Sequence, residues 1–82
     1  MNEIKLSHVG FSNYIASNRI VAMSTNNSAP IRRAVKEAQE KSSVIDLTNG
    51  RKIKAVIFTD CNSIVLSALG TETIAMRIQE DK

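Results

Sequence analysis

Cysteine, aromatic residues and long apolar runs are scarce in this chain of 82 residues, which has one cysteine, two phenylalanines, one tyrosine and no tryptophan. The single cysteine, Cys61, excludes an intrachain disulfide and a metal site built from several cysteines, and it favours a reducing, cytoplasmic compartment. The longest uncharged stretch, residues 6–18, is rich in serine and asparagine and falls short of the about 20 apolar residues that cross a bilayer. We therefore expect neither a membrane span nor a signal peptide.

The motifs of common ligand sites are also missing. There is no glycine-rich phosphate loop, and Asp46, Asp60 and Glu72 do not have the spacing of a metal-binding loop. Cys61 and the single histidine, His8, are far apart in sequence, and no nucleophile motif surrounds either of them. The simpler interpretation is a partly buried thiol and a histidine at a strand end. The sequence therefore predicts no enzyme, no cofactor and no metal, and no small-molecule substrate is evident.

Apolar residues are plentiful enough for one folded domain. Isoleucine, valine, leucine and alanine supply most of a hydrophobic content of 43%. A chain of this size buries only about 60–65% of its unfolded surface, so self-association would stabilise it. We predict a single domain over residues 1–82, without internal repeats, and with a frayed tail at residues 79–82.

Local patterns predict an α+β fold with a small antiparallel β-sheet. Three short β-prone runs, at residues 4–9, 14–16 and 20–24, are separated by turn-forming glycine, serine and asparagine, which suits an antiparallel meander. A serine and a proline then open an amphipathic helix, which the apolar spacing predicts over about residues 28–42.

Two further strands, predicted at residues 44–48 and 52–59, flank Asn49-Gly50. This dipeptide is the strongest short hairpin signal, because both central positions of the turn require a positive φ. The second of these strands is apolar on both alternating faces. We therefore expect the helix to cover one face and a further element or a second subunit to cover the other. A last strand at 64–69 and a short C-terminal helix through residue 78 complete the fold.

Charged residues are unevenly distributed. Between Arg19 and Lys54, eight lysines and arginines are accompanied by only three acidic residues, whereas the whole chain has a formal charge of +3. A polarised basic surface of this kind is typical of proteins that bind a polyanion such as nucleic acid. Six of these cations form two clusters, one in the predicted helix and one after the Asn49-Gly50 turn: Arg32, Arg33 and Lys36, and Arg51, Lys52 and Lys54.

The helix cluster has two interpretations. Arg32 and Arg33 are unfavourable in a first helical turn, whose free N–H groups carry partial positive charge, unless an anion such as a phosphate binds there. Alternatively, Arg33 pairs with Glu37 and Lys36 with Glu40, each four residues later, and the helix face is simply solvated.

The second cluster and Arg19 also have two interpretations each. Strand alternation would place Lys52 and Lys54 on one sheet face and Arg51 on the other, and charges at a hairpin tip either bind a partner or protect a strand edge from aggregation. Arg19 follows a predicted turn. We expect it either to contact nucleic acid or to bind a carboxylate at a subunit boundary.

Seven short motifs occur in one register from about residue 3 to residue 78. They are Ile-Lys-Leu at 4–6, Val-Gly-Phe-Ser-Asn at 9–13, Ser-Asn-Arg-Ile at 17–20, Ser-Ala-Pro-Ile-Arg-Arg at 28–33, Ile-Asp-Leu-Thr-Asn-Gly-Arg-Lys at 45–52, Leu-Ser-Ala at 66–68 and Glu-Thr-Ile at 72–74. No single tripeptide is diagnostic, but the ordered set resembles the RemA family of bacterial regulators.

This resemblance implies a small DNA-binding transcription regulator that forms ring-shaped homo-oligomers and activates extracellular-matrix and biofilm genes. The chain differs from the family pattern at Ser42, where glycine usually follows the helix, and at residues 51–54, where the family has more arginine. Lysine lacks the planar fork of arginine, so recognition of base edges is expected to be weaker than attraction to phosphates. The resemblance implies roles in DNA binding or assembly for four residues: Arg19, Pro30, Arg51 and Lys52.

The residues and the resemblance together predict a cytoplasmic homo-oligomer that binds double-stranded DNA through a repeated basic surface. One copy, with a radius of gyration of about 12 Å, would cover less than one DNA turn of about 34 Å, whereas an array of copies gains avidity. The alternative is a homo-oligomeric interaction module whose basic face binds an acidic protein or RNA. The expected DNA contacts are Arg32, Arg33, Lys36, Arg51, Lys52 and Lys54, with Arg19 and Pro30 at the DNA or the subunit interface.

Overall fold

Six strands and two α-helices form within residues 5–80, the part of the chain that the structure, a computed structural model, describes. The predicted α+β class is confirmed. The predicted strand start at Ile4 and residues 81–82 of the predicted frayed tail lie outside the described residues. The elements are β1 Leu6–His8, β2 Tyr14–Ala16, a 3-10 turn Ser17–Arg19, β3 Ile20–Ser24, α1 Ala29–Glu40, β4 Val44–Asp46, β5 Ala55–Thr59, β6 Ile64–Ser67 and α2 Thr71–Glu80.

The central feature is a four-stranded mixed sheet in the order β3-β5-β6-β4, and β1 and β2 form a separate antiparallel ribbon. β5 is antiparallel to both of its neighbours, whereas β4 runs parallel to β6. β3 and β4 therefore run in the same direction at opposite edges of the sheet. α1 makes the crossover between them, as strands that run in the same direction require.

The predicted hairpin at Asn49-Gly50 is wrong, although the tight turn forms. Both residues have a positive φ, 57° and 81°. The strands on the two sides of the turn do not pair, because β6 lies between them; the N–H groups of Leu47 and Lys54 donate to carbonyls of β6 instead. β6 is buried along its whole length, so pairing on both edges satisfies its backbone groups away from water. The sheet is consequently mixed and not antiparallel.

The predicted three-strand meander is also wrong. β1 and β2 pair with each other, with Leu6 opposite Ala16, but β3 pairs with β5, with Met23 opposite Ile57. The 3-10 turn after β2 redirects the chain, so β3 leaves the ribbon and joins the larger sheet. At the other end of the chain, α2 continues past its predicted end at residue 78, to Glu80.

Elements of this chain cover both faces of the central sheet. On one face, Val35 and Ala38 of α1 pack against Val56, Ile64 and Leu66. The other face of β5 is covered by α2 and the end of β1. A second subunit is therefore not needed to bury that face. The core on that side contains Val9, Ala55, Ile57, Val65 and Ile74.

Candidate nucleic-acid interface

Strand directions define two ends of the four-stranded sheet. β3, β4 and β6 finish at one end, which we call the carboxyl end, and β5 begins there: Ser24 is next to Val56 and Ala55 is next to Ser67. The opposite end, the amino end, carries the turn between β5 and β6. α1 follows β3 and α2 follows β6, so both helices begin at the carboxyl end.

The first cation cluster begins at the start of α1, at the carboxyl end. Ser28 caps the helix through its Oγ, which accepts a backbone N–H at 3.4 Å, and Pro30 lies in the first turn, where a missing N–H costs nothing. Arg32 is exposed at the end of this turn, and Arg33 is exposed at the start of the next. Arg32 Nη1 donates to the Asn26 carbonyl at 3.4 Å, which holds this side chain over the start of the helix.

Neither of the ion pairs considered for this helix forms. Within residues 5–80, Arg33 and Lys36 make no salt bridge with Glu37 or Glu40. Lys36 is exposed but lies about 10 Å along the axis from the start of α1, at 1.5 Å per residue. Arg32 and Arg33 thus add full charges to the positive end of a helix, whereas Lys36 lies further along its side.

The second cation cluster lies in the loop between β4 and β5, at the same end of the sheet. Arg51, Lys52 and Lys54 are exposed and line one cleft, so the expected separation of Arg51 from the two lysines is wrong, because this segment is a loop and does not alternate like a strand. The guanidinium carbon of Arg51 lies 5.5 Å from the centre of the Phe11 ring, a cation–π contact. Ile53 packs in the opposite direction, into the core beneath α1.

A carboxylate anchors this loop to the end of β4. Asp46 Oδ1 accepts hydrogen bonds from the Thr48 hydroxyl at 2.6 Å and from the Thr48 N–H at 2.9 Å. The hydroxyl bond, followed by the backbone bond, lowers the pKa of Asp46 below its ordinary value, because both stabilise the charged form. Thr48 itself is buried. The loop that carries the cations is therefore fixed at its start.

Arg19 lies at the amino end, apart from both clusters. Its Nε donates to the two carboxylate oxygens of Asp60 at 2.7 and 2.9 Å, and the Asp60 N–H donates to the Arg19 carbonyl at 3.1 Å. The hydrogen bond with Asp60, and then its charge, raise the pKa of Arg19 above its ordinary value. Arg19 thus binds a carboxylate of its own chain, whereas one of its two interpretations placed such a carboxylate at a subunit boundary. The Arg19 side chain remains about half exposed.

Cys61 and His8 lie at opposite ends of the sheet, so they do not form a Cys–His pair. Cys61 is exposed in the turn between β5 and β6, and the expected partial burial is wrong because a tight turn leaves this side chain in solvent. His8 is half-buried beside the cleft; the Ser12 N–H donates to its Nε2 at 3.2 Å, and Arg77 Nη1 contacts its Nδ1.

The described part of the chain offers no candidate for a metal site or a membrane helix. Within residues 5–80, no group of three histidine, cysteine, aspartate or glutamate side chains is placed to hold a metal ion. In the same part of the chain, no helix has the length and apolar character needed to cross a membrane.

Sequence reasoning missed Phe11 as a member of the site. Phe11 is 44% exposed and its ring contacts Arg51, although the two residues are far apart in sequence. The available signal was an aromatic residue among the turn-forming residues of Val-Gly-Phe-Ser-Asn, where an apolar core residue is not expected.

Comparison with known proteins identifies the family. A family model described as RemA-like, extracellular matrix regulatory protein A-like, matches residues 6–78. The chain belongs to the RemA-like family. A protein of Dehalococcoides mccartyi strain BAV1, named as a candidate regulatory protein, is 55% identical to this RemA-like chain over 75 residues, which cover 92% of the chain and 78% of the relative.

Two further RemA-like relatives carry the same kind of name. Candidate regulatory proteins of Symbiobacterium thermophilum and Thermoanaerobacter sp. strain X514 are each 47% identical to this chain. The alignments cover 95% and 96% of the chain and 82% of each relative. These relatives are named for regulation and not for a reaction that they catalyse.

Proposed function

We propose that this RemA-like chain is a DNA-binding transcription regulator that acts as a homo-oligomer and controls extracellular-matrix genes. The observation that carries the proposal is a group of five exposed cations at the carboxyl end of the sheet. Both helices begin at the same end, and their free N–H groups add partial positive charge. The five cations are Arg32, Arg33, Arg51, Lys52 and Lys54.

Acidic side chains at this end are fewer than the cations. Asp46 is engaged by Thr48, and Glu72 lies in the first turn of α2, where it complements the helix dipole. Within the described residues, neither carboxylate forms an ion pair with one of the five cations. The carboxyl end is therefore electropositive and open to solvent, which favours contact with backbone phosphates whatever the base sequence.

The regulatory part of the proposal is supported by the family. The matching family model is described by regulation of the extracellular matrix, and the relatives are named as candidate regulatory proteins. A regulator that acts by binding DNA needs a cationic surface, and the carboxyl end offers one.

The size of one copy supports the oligomeric part of the proposal. The radius of gyration is 12.2 Å and the longest dimension is 34 Å, so one copy extends over no more than about one DNA turn of 34 Å. One carboxyl end then neutralises only a few phosphates. In an oligomer, contacts after the first become intramolecular, which raises avidity by about 10²–10⁴ when the DNA follows the surface.

Salt-dependent binding of duplex DNA tests the proposal. Log K is expected to fall linearly with log salt concentration, with a slope of about −0.9 per phosphate neutralised. Arg51→Ala is expected to weaken binding for all sequences and to make the slope shallower by about one for each phosphate that the arginine neutralises. Lys41→Ala is the matched control, because Lys41 is exposed at the C-terminal end of α1, near the amino end. A flat salt response, or equal losses of affinity in both variants, would contradict the proposal.

Competition separates DNA binding from binding of RNA or an acidic protein. Duplex DNA, RNA and an unrelated polyanion are compared at physiological salt, and only the proposed function predicts that duplex DNA is bound in preference to the other two. Light scattering with and without duplex measures assembly in the same samples.

Arg19 enters the proposal separately, because it lies at the amino end. The mass and the DNA affinity of Arg19→Ala decide between its two expected roles. Loss of the oligomer would assign the residue to assembly, whereas weaker DNA binding with an unchanged mass would assign it to the DNA interface.

A further inference from the structure

An open cleft of about 440 Å³ lies at the carboxyl end, between the turn that joins β1 to β2, the loop before β5 and the segment after β6. Its volume is within the about 300–1,000 Å³ that is typical of small-molecule sites. Gly10, Ala68 and Leu69 give the cleft an apolar lining, and Lys52 and Lys54 add two positive charges to it. The cleft thus combines an apolar surface with an anion-binding one.

Buried hydrogen bonds hold the apolar side of the cleft in place. Ser67 is fully buried, and its Oγ donates to the Val9 carbonyl at 2.7 Å and accepts the Leu69 N–H at 3.1 Å. Gly10, with φ of 104°, lies so close to Leu69 that an added Cβ would be 3.3 Å from its Cγ. The cleft is therefore preformed by packing that a larger residue at position 10 would disturb.

An aromatic ring completes the cleft. Phe11 and Ser12 have φ of 54° and 61°, and the Asn13 N–H donates to the Gly10 carbonyl at 2.9 Å, as in a two-residue hairpin turn. A bulky residue rarely adopts this left-handed conformation, which here places the exposed Phe11 ring beside the cleft and under the guanidinium of Arg51.

Binding of duplex DNA does not require these features, because contacts with phosphates need exposed cations but no apolar cleft. They also differ from platforms for single strands, which stack successive bases on several aromatic side chains. The other two aromatic residues are engaged elsewhere: Phe58 packs in the core beneath α1, and Tyr14 lies edge-on to His8. One ring beside two lysines matches a ligand with one planar base and one anionic group.

We propose that this cleft binds a free nucleoside phosphate, with the base beside Phe11 and Leu69 and the phosphate on Lys52 and Lys54. Bound nucleotide would occupy cations that the proposed function assigns to DNA, so the two ligands compete. Binding of the nucleotide does not depend on the proposed function, whereas the competition rests on it. The cleft then makes DNA binding responsive to a small molecule.

Three small ligands test the apolar part and the cationic part of the cleft separately. AMP, adenosine and inorganic phosphate are titrated calorimetrically into the full chain at matched ionic strength, without DNA. AMP is expected to bind about tenfold more tightly than phosphate, since a stacked base contributes on that scale, and also more tightly than adenosine, which lacks the anion. Equal affinities of AMP and phosphate would overturn the proposal, because they indicate a simple anion patch.

Variants assign the binding to the cleft. Phe11→Asn keeps a residue that tolerates positive φ and is expected to reduce AMP affinity to that of phosphate. Lys54→Gln is expected to reduce the affinity for AMP toward the affinity for adenosine. Lys41→Gln removes the same charge near the amino end and is expected to change nothing. AMP binding that is unaffected by both cleft variants would overturn the proposal.

Separate titrations with AMP and with duplex DNA distinguish failure of this inference from failure of the proposed function. AMP that binds while duplex DNA does not would refute DNA binding and leave the nucleotide site intact. Duplex DNA that binds with a steep salt dependence while AMP does not would refute the nucleotide site alone. A single-stranded oligoadenylate that occupies the cleft when AMP cannot would also overturn the inference, because the site would then recognise a strand.

Discussion

Ser42 adopts a left-handed backbone conformation just after α1, with φ of 57°. Its N–H donates to the Gln39 carbonyl at 3.1 Å, so the residue closes the last turn of the helix. Glycine is the usual residue at such a position, because most residues with a side chain lose about 1–2 kcal/mol there to contacts of their Cβ.

Ser42→Gly is therefore expected to stabilise the fold. Removing the Cβ relieves more strain energy than the extra conformational entropy of glycine costs on folding. The net gain in the free energy of unfolding is about 0.5–1 kcal/mol, which corresponds to a rise in Tm of about 2–8 °C for a domain of this size. Thermal unfolding followed by circular dichroism measures the shift. The neighbouring Lys41 has φ of −94°, so Lys41→Gly is expected to lower Tm. A fall in Tm for Ser42→Gly would show that the serine hydroxyl matters more than the backbone strain.

The loop between β4 and β5 carries three of the five cations, and the Asp46–Thr48 contact anchors its start. The carboxylate has a lowered pKa in the folded chain and an ordinary value of 3.8 when unfolded. The stabilisation that its hydrogen bonds provide is therefore fully present above pH 3.8 and is lost as the pH falls through the lower, folded pKa.

Asp46→Asn is expected to lower the urea midpoint at neutral pH and to reduce the loss of stability below about pH 4. Urea unfolding at a series of pH values measures both effects. The control is Glu40→Gln, which removes an exposed carboxylate at the end of α1. If Asp46→Asn retains the full acid sensitivity of the parent chain, the carboxylate does not hold the loop. Weaker duplex binding by the same variant would show that this anchor also positions the cations.

The turns at Asn49-Gly50 and at Phe11-Ser12 show how far the local sequence predicts structure. Asn49 and Gly50 adopt the positive φ values that their chemistry favours, so the turn was predictable. The pairing partners of β4 and β5, the strands on either side of this turn, were not predictable. They depend on β6, which comes later in the chain and lies between the two strands. The hairpin turn between β1 and β2 instead uses Phe11 and Ser12, neither of which favours positive φ. Packing around Gly10 and Leu69 overrides local propensity there.

At the scale of the whole molecule, the sequence predicted one basic surface built from the two cation clusters, but it did not predict which end of the sheet carries them. That arrangement follows from the parallel pairing of β4 with β6 and from the crossover through α1, which involve residues far apart in the chain. The same topology separates Arg19 from the clusters, a relation that charge counting along the sequence cannot reveal. The cations and a shared basic surface were therefore predictable, whereas the position of that surface on the sheet required the fold.

The two edges of the central sheet offer a route to the proposed oligomer. β3 and β4 form these edges and run in the same direction. Each carries an exposed apolar residue, Val21 at 68% and Ile45 at 49% exposure. Open edges are templates for pairing with another chain. When one edge of each copy pairs with the other edge of the next copy, the copies form a ring if the rotation between neighbours closes. We therefore expect β3 of one copy to pair with β4 of the next.

Val21→Lys and Ile45→Lys are expected to reduce the light-scattering mass to the 9.0 kDa of one chain, because a charge at the edge opposes strand pairing. Circular dichroism is expected to stay unchanged, while duplex affinity falls by the about 10²–10⁴ that avidity contributes. Met76→Lys is the matched control, since Met76 is similarly exposed on α2, away from both edges. An oligomer that survives both edge substitutions, or one that Met76→Lys dissociates equally well, would place the subunit contact on another surface. Loss of mass without loss of duplex affinity would instead show that one carboxyl end binds DNA without help from its neighbours.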